Sequence, residues 1–132
     1  MIDKEILEYL KTQLIGDSCT GAKGHEGSLQ VQFGSRSLIL QSSWRLIERG
    51  EIWLGSGSVE LQTISRLVDR VVYSISVVND FNDLQIKFED ESALESFADA
   101  EEFEHWSFHA SKSEILIAGP GKLWSSFLQS IK

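Results

Sequence analysis

Two stretches of alternating apolar and polar residues, Leu29-Gln30-Val31-Gln32-Phe33 and Leu84-Gln85-Ile86-Lys87-Phe88, start 55 residues apart, at positions 29 and 84. A period of two places every apolar side chain on one face of an extended strand, whereas a helix repeats every 3.6 residues. Each copy runs on toward a tryptophan, Trp44 after the first and Trp106 after the second. The sequence therefore predicts a mainly antiparallel sheet made of two similar β modules on either side of a central helix.

The rest of the chain supplies the connecting elements. Ile2, Ile6, Leu7, Leu10 and Leu14 recur at helical spacing, which predicts an amphipathic N-terminal helix ending at Gly16. Residues 16–28 are rich in Gly, Ser and Thr and read as a surface loop. Leu29–Phe33 turns at Gly34-Ser35 into Ser37–Gln41, and Trp44–Ile47 turns at Arg49-Gly50 into Ile52–Leu54. Ser58 is placed to cap a short helix with Leu61, Ile64, Leu67 and Val68 on one face, ending near Asp69.

Val71–Val78 is β-branched on both faces and is expected to be the longest and most central strand. Ser92–Ala98 has a capping-box pair, Ser92 and Glu95, but the repeat favours a strand there. Trp106–Ala110 and Glu114–Ala118 follow as strands around a turn at Ser111-Lys112. Gly119-Pro120-Gly121 is expected to form a type II turn before a last strand, Leu123–Leu128. The fold class expected is α+β, a single domain over residues 1–132 with the two helices packed on a mainly antiparallel sheet.

At 132 residues, with 42% hydrophobic and 24% charged residues, the chain has the composition of a self-folding globular domain. One cysteine, Cys19, allows no internal disulfide and fits a reducing compartment. The acidic start Met1-Ile2-Asp3-Lys4-Glu5 lacks the positive charge of a signal peptide, and no apolar run approaches membrane-spanning length. A cytoplasmic location is expected. Twenty acidic against twelve basic residues give a formal charge of −8, which repels nucleic acid and anionic lipid and attracts basic partners.

The motifs that carry chemistry are weak. Gly16-Asp17-Ser18-Cys19-Thr20-Gly21-Ala22-Lys23 fails as a phosphate-binding loop, because Ala22 separates Gly21 from Lys23, Gly24 replaces the magnesium-binding hydroxyl, and a helix precedes it. Gly55-Ser56-Gly57-Ser58 lacks the third glycine of a dinucleotide fingerprint. His105 and His109 on one strand would stand about 13 Å apart, too far to share a metal, and His25 is remote. The serines show no nucleophile elbow, and Glu104-His105 would point to opposite faces. No catalytic residue, metal or cofactor is expected.

The most nonrandom feature is a run of carboxylates, Glu89, Asp90, Glu91, Glu95, Asp99, Glu101, Glu102 and Glu104, with no lysine or arginine among them and with Phe97, Phe103 and Trp106 interleaved. Charge of this kind speeds the approach of a cationic partner, and a buried aromatic slows its departure. Glu91, Glu95, Asp99, Glu101, Glu102, Phe103, Glu104 and His105 are the candidate partner-binding residues.

The succession Leu84-Gln85-Ile86-Lys87-Phe88-Glu89-Asp90, Phe103-Glu104-His105-Trp106 and Gly119-Pro120-Gly121-Lys122-Leu123-Trp124 resembles a group of small uncharacterised bacterial proteins, over residues 70–127. In that group a strand ending Phe-x-Asp precedes a Glu-x-Trp strand and a Gly-Pro-Gly turn, with Asp-Gly where this chain has Asp90-Glu91. Several of its members resemble immunity proteins encoded beside contact-dependent or polymorphic toxins. The resemblance implies a non-enzymatic protein, a monomer or weak dimer, that neutralises a basic toxin domain such as a nuclease. The alternative is a small-ligand-binding protein or enzyme of unknown substrate.

Overall fold

The structure is a computed structural model that describes residues 2–25, 27–55, 65–99 and 103–127. Helix α1 (Lys4–Leu14) starts at Asp3, whose carboxylate accepts the Ile6 N–H, and buries Ile6, Tyr9, Leu10 and Leu14 along one stripe. Gly16, at φ 92°, ends it and donates its N–H to the Val72 carbonyl, so the chain passes directly from the helix onto a sheet edge.

Among the described residues eleven strands form two antiparallel sheets. The first half of the chain gives β1 (Gly21–His25), β2 (Ser28–Phe33), β3 (Arg36–Leu40), β4 (Ser43–Glu48) and β5 (Glu51–Gly55). The second half gives β6 (Val72–Val78), β7 (Asp83–Phe88), β8 (Ala93–Phe97), β9 (Trp106–His109), β10 (Ile115–Ala118) and β11 (Trp124–Phe127). The sheet orders are β1-β2-β3-β9-β10-β11 and β5-β4-β8-β7-β6. Each half thus contributes a three-stranded meander to one sheet and sends its next strands to the other, the hairpin β4–β5 from the first half and β9–β11 from the second.

Register repeats along with order. In one sheet Leu29, Leu40 and Trp106 stand opposite one another, and Val31, Leu38, Phe108 and Leu116 form the neighbouring row. In the other, Leu84, Ser96 and Trp44 form the matching row, beside Ile86, Leu94, Leu46 and Leu54. These inward rows, together with the buried stripe of α1, make one continuous core. Each fully buried leucine or phenylalanine in it contributes about 1.5–3 kcal/mol.

Four expectations are corrected. Residues 16–28 are not all loop: Gly21–His25 is β1, an edge strand paired along its length to β2, with Ala22 packed against the core. β6 is the longest described strand but lies at a sheet edge, with Tyr73 and Val78 exposed at 66% and 49%. Its second apolar face is therefore not covered by sheet. Of the proposed central helix, Ser58, Leu61 and Ile64 lie outside the described residues, and the described remainder is a single 3-10 turn, Ser65–Leu67. The Gly-Pro-Gly turn spans 120–123, closed by Leu123 N–H to the Pro120 carbonyl, so proline takes its first position and Gly121 the positive φ of 57°. The Gly119-Pro120 peptide is cis.

Candidate partner-binding surface

Two segments carry the chain between the sheets, residues 41–42 from β3 to β4 and the connection from β8 to β9. They meet at His105. Its carbonyl accepts the N–H groups of Gln41 and Ser42 at 2.9 and 3.1 Å, and its own N–H donates to Ala118. The imidazole is buried, at 1% exposure, with Nδ1 3.1 Å from the Phe81 carbonyl. His105 therefore pins the crossing from inside, and its placement among the surface residues is corrected.

Gly119 closes the same junction. A β-carbon there would lie 2.9 Å from the Phe103 carbonyl oxygen and 3.0 Å from the His105 nitrogen, so the residue must be glycine for the two backbones to touch. Around this contact Gln41, Phe103, Glu104 and Pro120 line an open groove of about 500 Å³. Phe103 is 67% exposed, and Glu104 is exposed beside it. Lys122, from the adjoining turn, reaches Asp80 at 3.9 Å and lies 5.7 Å from the Phe81 ring.

The acidic run does not form one face. Glu91 sits in the β7–β8 turn at φ 72°, at the far end of β7 from Asp83. Glu95 lies in the middle of β8 and is occupied internally: one carboxylate oxygen accepts from Arg45 at 2.7 Å and the other from Gln85 at 2.6 Å. Asp99 accepts the Ser43 N–H at 3.1 Å, near the crossing. Glu101 and Glu102 lie outside the described residues. Of the interleaved aromatics, Trp106 is fully buried and Phe97 lies under the Arg45 guanidinium.

Asp99, Phe103 and Glu104 are thus brought to one end of the molecule, joined there by Asp80, Gln41, Pro120 and Lys122. The sequence reading missed these four. The acidic turn Asn79-Asp80-Phe81-Asn82-Asp83 was the available signal for Asp80, but only the pairing of β6 with β7 brings it here.

No protein-family model, curated protein or solved structure matches the chain. The reading of this surface rests on its own chemistry. Among the described residues no group of three His, Cys, Asp or Glu side chains could hold a metal ion, and no helix is long and apolar enough to cross a membrane.

Two other polar groupings lie away from this surface. Ser107 Oγ lies 2.9 Å from His109 Nε2 on the outer face of β9. That is a nucleophile-to-base distance, but β9 is paired on both sides, so its backbone N–H groups serve the ladders rather than an oxyanion. At the opposite end of the molecule Arg70 bridges Glu48 at 2.9 Å and Asp90 at 3.5 Å, while Arg66 stacks on Trp53 at 4.0 Å. The Arg70 hydrogen bond holds the Glu48 carboxyl below its ordinary range. Burial pushes Asp90 up, but hydrogen bonds from the Ser92 hydroxyl and N–H, with Arg70 nearby, outweigh it and leave Asp90 lowered. Cys19 is fully buried, and burial raises its thiol pKa, so it is kept protonated and unreactive.

Proposed function

We propose that the chain is a toxin-neutralising immunity protein that docks a basic protein domain at the crossing of its two inter-sheet connections. The observation that carries the reading is Phe103: a phenylalanine exposed at 67% at the end of the molecule that also exposes Asp80, Asp99 and Glu104, where Lys122 is paired with Asp80. An exposed ring backed by a rigid backbone junction is the form of an interface anchor, and surrounding carboxylates supply long-range attraction without needing close contact. Neutralisation would follow from occlusion. A toxin that handles nucleic acid offers a cationic surface, and carboxylates seated on it compete with phosphate.

This reading moves the docking surface relative to the sequence. Glu91 is displaced to the other end, Glu95 is engaged within the sheet, and Asp99, Phe103 and Glu104 remain. The test is co-expression with the C-terminal domain encoded by the reading frame immediately upstream. Growth rescue by this chain, and co-purification of the two proteins, is the expected result; a domain that stays toxic and unbound contradicts the proposal.

A further inference from the structure

Among the described residues three aromatic rings carry the protein's own cations, Trp53 two of them, and in each case a carboxylate holds the cation. Arg45 lies 4.7 Å from the Phe97 ring and pairs with Glu95, and Arg66 lies 4.0 Å from Trp53 and pairs with Glu48 at 3.5 Å. Lys122 lies 5.7 Å from Phe81 and pairs with Asp80. The two attractions reinforce each other, since the ring face and the carboxylate both favour positive charge while the aliphatic stem covers apolar surface. Phe103 with Glu104 has the same ring and carboxylate, but no cation of the described residues lies over it.

We propose that Phe103 and Glu104, walled by Gln41 and Pro120, form a seat for an arginine side chain of a basic protein partner. This rests on the reading of the rim as a docking face and adds what the rim recognises. Charge complementarity selects the occupant: the Glu104 carboxylate lines the groove, and Lys122 of the adjoining turn is already engaged with Asp80. Arginine suits the seat better than lysine, because a planar guanidinium can stack on the ring while its N–H edge reaches the carboxylate and the Gln41 amide oxygen. Within the protein Arg45 and Arg66 lie nearer their rings than Lys122, whereas Arg70, at 5.7 Å from Trp53, stands as far from its ring as the lysine.

The test is an amide NMR titration of the whole chain with N-acetyl-arginine amide, N-acetyl-lysine amide and the uncharged isostere N-acetyl-citrulline amide. The arginine probe is expected to shift the signals of Gln41, Phe103 and Glu104, with citrulline inert. Phe103→Ala and Glu104→Gln should each weaken the arginine probe about five-fold at unchanged melting temperature, both side chains being exposed. Absence of shifts at this groove, equal binding of citrulline, or equal binding of lysine overturns the assignment.

Neutralisation assays on the same variants, and on Asp80→Lys with Asp99→Lys, separate the two levels of the argument. Loss in every variant supports the seat and the rim together. Loss in the charge-reversed variant alone overturns the seat and leaves the docking rim standing. Neutralisation kept in every variant overturns both.

Discussion

Trp44 and Trp106 hold equivalent places in the two halves of the fold. Each indole Nε1 donates to a backbone carbonyl two residues before its own half's alternating strand, Trp44 to Gly27 at 3.0 Å and Trp106 to Asn82 at 2.8 Å. Both acceptor residues have positive φ, 88° and 61°. Because each tryptophan sits in the strands sent to the opposite sheet, these bonds tie the sheets together twice.

The two ties differ in burial, and their removal should differ accordingly. The Trp106 bond is buried, so Trp106→Phe leaves the Asn82 carbonyl without a donor and also loses ring volume, at a cost of about 3 kcal/mol. Gly27 is exposed and water can replace the indole there, so Trp44→Phe, which loses the same ring volume from the core, should cost about 2 kcal/mol. Urea denaturation midpoints measure both; equal losses would contradict the assignment.

Glu91 occupies the left-handed region at φ 72°, in a turn fixed by the Asp90 carboxylate accepting the Ser92 N–H. Glycine adopts that conformation without a β-carbon penalty. Glu91→Gly should stabilise the protein by about 0.5–1 kcal/mol, whereas Glu91→Ala retains the strain. A Glu91→Gly variant less stable than Glu91→Ala would contradict this.

Gly119→Ala should be among the most damaging small substitutions, since it combines φ 95° with a backbone contact at 2.9 Å that has no side chain to move aside. About 2 kcal/mol is expected, with amide shifts spreading to residues 103–105. Gly34→Ala, at φ 68° with open space around it, should cost about 1 kcal/mol. Thermal melts of the pair provide the comparison.

Glu48 and Asp90 both have lowered carboxyl pKa values in the folded protein, through hydrogen bonds from Arg70 and Ser92 respectively. Their pairing therefore stabilises the fold above the unfolded values of 4.5 and 3.8, and that contribution is lost as pH falls through the lowered folded values. Melting temperature should drop on acidification across this window. Arg70→Gln should lower it at pH 7 and flatten its fall with acid; an unchanged acid slope would contradict the role of Arg70.

The alternating strands were legible because burial imposes a period of two, and the 55-residue offset foretold repeated rows that the registers display. β1 was not legible, because Gly21-Ala22-Lys23-Gly24 carries no apolar alternation and is recruited by backbone pairing to β2, with Ala22 its one apolar contact to the core. The edge position of β6 was hidden for a related reason: its β-branched composition reports strand propensity, whereas strand order depends on hairpins exchanged over long range. At the candidate surface, charge was readable but direction was not. Glu95 and Glu104 look alike in sequence, and only the row Ser76, Gln85, Glu95 and Arg45 across the second sheet gives one of them partners within the protein.

The central claim is that the Phe103 rim, rather than acidity in general, docks the basic partner. It is tested most directly by the association rate with the upstream-encoded domain at low and moderate salt, for two variants carrying the same charge change at opposite ends of β7. Asp80→Lys with Glu104→Lys should slow association about ten-fold and weaken its salt dependence. Glu89→Lys with Glu91→Lys, about two Debye lengths away, should change it less than about two-fold. Equal slowing by both pairs, or no slowing by the first, would contradict the account.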